Sequence, residues 1–244
     1  MVEAQALKLS LSITKLRGVR SKQEFDGAIG EIRNLYGFAH LVFLCVRSPV
    51  VDRPLLLYCT TYPEEWTSRY LQKEYFNIDP VVAIYKTGFQ PVDWSSLDLS
   101  SEKTRDLFSE AVEMGVGRNG VTVPIRGPSG ERSLFSATSN MPRREWRDLR
   151  ASARHDLMLL SHYMHERFLS INGIRTRYHR GLSRREQECL QLLARGVVPK
   201  RIASRLQLSE SAVRLYLGKA RRKLKAETTY QAIARASFLE LIEV

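Results

Sequence analysis

The stretch LSRREQECLQLLARGVVPKRIASRLQLSESAVRLYLGKARRKL, residues 182–224, narrows the possible folds more than any other part of the chain. Ser183 followed by Glu186 spells a capping box, Cys189, Leu190, Leu192 and Leu193 supply an apolar face, and Gly196 ends that helix. Pro199 suits the first turn of a second helix, PKRIASRL, with Ile202, Ala203 and Leu206 inward. After a short QLS break, Ser209 caps a third, ESAVRLYLGKARRKL. Its Val213, Leu217, Ala220 and Leu224 form one stripe, and Arg214, Lys219, Arg221, Arg222 and Lys223 carry the opposite face. TYQAIARASFLELI, within 229–242, predicts a fourth helix.

Charge points the same way. Residues 175–244 hold 16 of the 38 Lys and Arg but only 6 of the 26 Asp and Glu, so they carry +10 of the net +12. A block this basic calls for a polyanionic partner. Two short helices, a tight break and a longer helix with a cationic outer face make a helix-turn-helix, whose last helix fits the major groove of double-stranded DNA. The plainer alternative is a small helical bundle with a solvated basic face. Agreement of caps, break and charge favours the DNA-binding one.

Ahead of a polar, glycine-bounded linker at 172–181, the pattern changes. Phe25, Ile29, Ile32 and Tyr36 recur at helical spacing behind Ser21, with Gly37 as the stop. The runs 38–47 and 54–62 read as strands, as do 120–126 and 131–139 on either side of GPSG, with Arg118-Asn119-Gly120 as a turn before them. From Arg143 to Leu169 the spacing is helical again. Hairpins flanked by helices define an α/β domain, an antiparallel sheet covered by helices. Division of the chain is therefore 1–171, linker 172–181, and 182–244.

Within TYPEEWTSRYLQKEYFNIDPVV, residues 61–82, an unusual density of rings precedes one carboxylate. Asp79 with Pro80 reads as a helix start, Trp66 and Tyr70 share a helical face, and PVDW places Trp94 on an edge strand. Singly, each has a plain structural explanation, as an N-cap or a core aromatic.

LSRREQECLQLLARG…IASRLQLSESAVR…RRKL resembles the DNA-binding domain of LuxR-type regulators, with Glu186, Leu190, Gly196, Ile202, Ala203 and Val213 in register. The order YP-x-x-W-x-x-x-Y, DP, W, G-V-T-V-P-I and a later serine resembles the acyl-homoserine-lactone pocket of the quorum-sensing branch. That resemblance implies an α-β-α sandwich and a ligand cage of Tyr62, Trp66, Tyr70, Asp79, Trp94 and Ser136. Trp66 would donate to the lactone ring carbonyl, Asp79 would accept from the amide N–H, and Tyr62 with Ser136 would hold the amide carbonyl. Tyr70 and Trp94 would be walls. It further implies a homodimer on a palindromic operator, with helices 143–169 and 229–242 as dimerisation candidates and RNA polymerase as a further partner. Two positions depart from the family pattern: Arg201, where an acidic residue is common, and Tyr216, where histidine is. The DNA-facing set is Lys200, Arg201, Ser211, Arg214, Tyr216, Lys219 and Arg222, with Arg214 as base reader.

Other classes find little support. G-x-S-x-G, H-E-x-x-H and Walker A motifs are absent, and the one G-x-G-x-x-G, residues 115–120, runs into a strand pattern instead of opening a helix, which argues against an enzyme. His162 and His165 lack an evident third metal ligand, and Cys45, Cys59 and Cys189 form no C-x-x-C pair, so neither metal nor cofactor is expected. The start of the chain lacks a signal-peptide pattern and no run is long enough to cross a membrane, so the expectation is a cytoplasmic protein. Two further readings stay open: a regulator of this type that answers a non-lactone signal or none, and an enzymatic first domain fused to a DNA-binding module.

Overall fold

A computed structural model describes residues 2–47, 57–127, 130–174 and 181–243. The chain forms two compact units, Met1–Gly127 with Glu131–Ile174, and Arg175–Val244 with Pro128–Gly130.

The first unit is built on five antiparallel strands in the order β2-β1-β5-β4-β3. They are β1 (His40–Arg47), β2 (Leu57–Thr60), β3 (Val92–Asp93), β4 (Asn119–Arg126) and β5 (Arg132–Ser139). Side chains alternate between faces along each strand. On one face Phe43, Val123 and Phe135 meet α1 (Val2–Gly18), α2 (Lys22–Tyr36) and α6 (Arg143–Ile171), with Phe25 and Phe168 edge-on at 5.4 Å. On the other, Leu134 and its neighbours meet α3 (Glu64–Gln72), α4 (Pro80–Thr87) and α5 (Glu102–Glu113). The sheet is thus covered on both sides.

Local signals explain most element ends. Ser21 accepts from the Glu24 N–H, and Gly37 closes α2 at φ 76°, a left-handed angle that glycine adopts without steric cost. Asp79 caps α4 by accepting from the Val81 N–H at 2.7 Å, with Pro80 as the first helical residue. Three expectations need correction. Asn119 and Gly120 are not a turn but the first residues of β4, paired with Ser139 and Thr138. Trp94 is not on the edge strand; it opens a 3-10 turn, Trp94–Ser96, just after β3. Helix α10 is shorter than 229–242, running Thr229–Phe238. Parts of the 54–62 run, the GPSG turn and the 172–181 linker lie outside the described residues.

Helix α1 packs on α6, and a buried carboxylate joins three helices: Asp156 accepts from Tyr36 at 2.7 Å and from Gln5 at 2.6 Å. Cys45, Cys59 and Cys189 are not disulfide-bonded and are all buried, as small apolar residues would be.

The second unit contains α7 (Arg184–Ala194), α8 (Pro199–Leu206), α9 (Glu210–Lys223) and α10. One cluster gathers Leu190, Ala220, Ala232 and Ala236; another gathers Cys189, Ile202, Ala203 and Val213. Gln207, left-handed at φ 54°, makes the break between α8 and α9, and the Leu208 N–H returns to the Ala203 carbonyl at 2.9 Å. Ser183 and Glu186 form the full reciprocal capping box.

Candidate functional site

Six side chains from five separate segments converge between the sheet and α3–α5. Tyr62 follows the end of β2, Trp66 and Tyr70 stand one turn apart on α3, and Asp79 starts α4. Trp94 comes from the 3-10 turn and Ser136 from the middle of β5. All six line one cavity of roughly 910 Å³, counted to its open mouth. An apolar cleft with a few convergent polar groups is the kind of site that takes a small organic ligand. Most of the remaining lining is apolar, including Leu44, Val82, Leu107, Phe108 and Leu134.

Asp79 holds the polar end. Its carboxylate caps α4 and also accepts from the Tyr70 hydroxyl at 2.8 Å, so one side chain both starts a helix and lines the cavity. Tyr70 is therefore more than a wall. Burial pushes the Asp79 pKa up to about 6, although Tyr70 and the Val81 and Val82 N–H groups pull the other way. Burial likewise raises the Tyr62 and Tyr70 phenols, helped by the nearby Asp79 charge. Trp94 also bonds: its indole N–H donates to Thr122 Oγ1 at 2.8 Å, and Thr122 lies 2.8 Å from Ser136 Oγ. Among the described residues, the Tyr62 hydroxyl and the Trp66 indole N–H meet no protein partner. Trp66 is nonetheless buried. Both side chains line the cavity, so a ligand that offers acceptors there would satisfy two donors the protein leaves unpaired.

Sequence reasoning missed Thr122, which joins Trp94 to Ser136, and the α5 wall of Leu107, Phe108 and Ala111. Ser101 ahead of an i, i+4 pair of apolar positions, 107 and 111, was the signal for that wall. Gly120 has a clear local reason, because a Cβ there would overlap the Trp94 ring. Gly120→Ala is expected to displace that indole at a cost of about 1–3 kcal/mol. Thermal unfolding and tryptophan emission should both shift; an unchanged emission spectrum would refute the contact.

In the second unit, Lys200 and Arg201 on α8 are exposed, as are Ser211, Arg214, Lys219 and Arg222 on α9. Arg214 reaches only a loose pairing with Glu210 at 3.9 Å. Tyr216 is half-buried against the Cys189, Ile202 and Val213 cluster. Lys223 leaves the cationic face where the helical spacing put it, because its ammonium donates to buried Glu186 at 2.7 Å and ties α9 to α7.

The fold and cavity define a pocket-bearing α/β domain joined to a helix-turn-helix. The autoinducer-binding-domain family model matches residues 21–168, and the model of bacterial regulatory proteins of the luxR family matches 180–236. The chain therefore belongs to the LuxR-type quorum-sensing transcriptional regulators, which are not enzymes. It is 47% identical over 183 residues to the transcriptional activator protein RaiR of Rhizobium etli, covering 75% of each chain. It is 25% identical over 229 residues to LuxR of Aliivibrio fischeri, covering 92% of this chain and 90% of that one. Among solved structures, SdiA in complex with octanoyl-rac-glycerol is similar at a TM-score of 0.76, with 23% identity over 97% of this chain and 96% of that one. At that identity the similarity speaks for the fold. The helix-turn-helix implies DNA binding, and the autoinducer domain implies a small-molecule signal. Among the described residues, no helix is long and apolar enough to cross a membrane.

Proposed function

We propose that the cavity binds an acyl-homoserine lactone and that the occupied protein, as a cytoplasmic homodimer, grips a palindromic operator and acts with RNA polymerase. The observation that carries this reading is the pair of orphaned donors, Tyr62 and Trp66, set beside the half-buried Asp79 in a mostly apolar cavity. Trp66 donates to the ring carbonyl, and Asp79 accepts from the amide N–H in a charge-assisted bond. Tyr62 donates to the amide carbonyl. If Trp94 donates to Thr122 and Thr122 to Ser136, the Ser136 hydroxyl keeps a proton to offer the same carbonyl. The acyl chain lies along Leu44, Val82 and Leu134.

The functional division is 1–171 for ligand and dimer, 172–181 as linker and 182–244 for DNA. Dimerisation through α6 and α10 fits the exposed Met158 and Leu159 on α6 and Tyr230 on α10, which is 86% exposed. Lys200, Arg201, Ser211, Lys219 and Arg222 contact phosphates, Tyr216 packs at the edge of that surface, and Arg214 reads a base edge. Arg214→Ala should cost specific affinity about tenfold or more and leave nonspecific affinity nearly unchanged, in titrations at matched salt. Equal losses on both DNAs would overturn the base-reading role.

A second reading has its own support, since the structurally similar SdiA is solved with an acylglycerol. A hydroxyl of such a ligand could donate to Asp79 in place of the amide. Mass spectrometry of small molecules released from protein expressed with a mixture of lactones and acylglycerols decides between them. A bound lactone supports the first reading, and bound acylglycerol alone replaces it.

A further inference from the structure

The outer face of α9 is not uniformly cationic. Ser211, Leu215, Gly218 and Arg222 follow one another at i, i+4, i+7 and i+11, which puts them on a single stripe. That stripe lies opposite buried Val213, Ala220 and Leu224. Arg214 and Lys219 flank it, so its first three positions form a neutral strip between cations. Leu215 is 52% exposed, an isobutyl group held out to solvent on the face that the helix-turn-helix offers to DNA.

Gly218 is the second observation. A glycine in a helix interior is unfavourable relative to alanine, and a fold tolerates one for a positive φ or for a close neighbour. Neither applies here. Gly218 has no positive φ, and a Cβ added to it would meet nothing within 4 Å. Packing inside the unit therefore does not ask for glycine. What the missing side chain leaves is a notch on the outer face, one turn beyond Leu215.

The geometry points to Leu215 and Gly218 as specificity-determining residues: Leu215 packs on the 5-methyl groups of thymines in the major groove, and the notch at Gly218 lets the helix sit deep enough for that contact. Thymine alone among the four bases presents a methyl group there, so an apolar side chain discriminates without a hydrogen bond. The flanking Arg214 and Lys219 bring the helix in, and the neutral strip selects the site. This inference rests on the DNA-binding reading of the second unit.

The test uses the full-length chain expressed with a mixture of acyl-homoserine lactones. Double-stranded DNA is first selected by it from a random-sequence library, and each thymine of the selected site is then replaced singly by uracil, which lacks only the methyl. At one or two positions in each half-site, wild-type affinity should fall about fourfold per methyl lost. Leu215→Ala should bind more weakly and be indifferent to those same replacements. Gly218→Ala should raise the unfolding temperature, as a better helix former, yet weaken operator binding about tenfold. That opposite movement is one a purely structural glycine would not produce. Failure to select any DNA overturns the DNA-binding reading and this inference together. Selection that succeeds, followed by a uracil scan flat for wild type, overturns the inference alone. So does a Gly218→Ala protein with undiminished affinity.

Discussion

Asp79→Asn should lower lactone affinity about 10- to 100-fold while leaving the fold intact. Asparagine caps helices about as well as aspartate, so the start of α4 survives the change. What it loses is the negative charge, and hydrogen bonds to charged groups contribute about 1.5–3 kcal/mol. The same carboxylate makes binding pH-dependent. Without ligand its pKa stands at about 6, above the ordinary carboxylate value, so the folded state holds this proton more tightly than the unfolded chain does. That contribution to stability is complete below the ordinary value and is lost as pH rises through about 6. A lactone amide N–H favours the charged form instead. Ligand affinity should therefore rise about tenfold from pH 5 to pH 7, with about one proton released on binding at pH 5 and almost none at pH 7, and Asp79→Asn should abolish that slope. Calorimetric titration in buffers of different ionisation enthalpy measures both quantities. A pH-independent wild type would remove Asp79 from the ligand contact.

The second large effect belongs to Glu186. Its side chain is only 3% exposed, and its carboxylate accepts from the Ser183 N–H and the Lys223 ammonium, both at 2.7 Å. Burial alone would raise its pKa; Lys223 and the Ser183 N–H more than offset this and hold it below the usual value. Its stabilisation is therefore present above the ordinary carboxylate pKa and fades as acid protonates it. Glu186→Ala removes the reciprocal capping box and leaves a void where a 3%-exposed side chain stood, about 2–4 kcal/mol in all. For a unit this small that is most of its stability. Hydrogen exchange on the full chain should show α7 and α9 opening while the sheet amides stay protected. Lys223→Ala should do less, about 1–2 kcal/mol, because the Ser183 N–H still meets the 3%-exposed Glu186 carboxylate after the ammonium is gone. Equal protection in Glu186→Ala and the parent would contradict the account.

The parts of this molecule legible in advance are those with local causes. Every helix start in the second unit announces itself by a Ser, Thr or Pro, and α2 carries both its cap and its glycine stop. Helix α1 shows the opposite case. LKLSLSIT alternates like a strand, yet these residues are helical and pack on α6, with Leu16 buried and Leu7 and Leu11 left out. Tertiary burial overrode the local period. Trp94 was misplaced for a related reason, since only the approach of Gly120 on the neighbouring strand dictates where its ring lies.

The six cage residues could be named from order and spacing, because a family pattern records chemistry even where it does not record shape. Their bonding could not. That Asp79, legible as a cap, also receives Tyr70 from the preceding helix, that Trp94 is anchored through Thr122, and that Lys223 turns inward to Glu186 all depend on contacts between separate elements. The sequence by itself determined the domain types, the starts of the capped helices and the sign of the charge, since caps and net charge act within a few residues or simply add. The tertiary structure decided which donors remain unpaired, which carboxylate is buried and which face of α9 is neutral, because those properties come from desolvation by neighbours that only folding brings together.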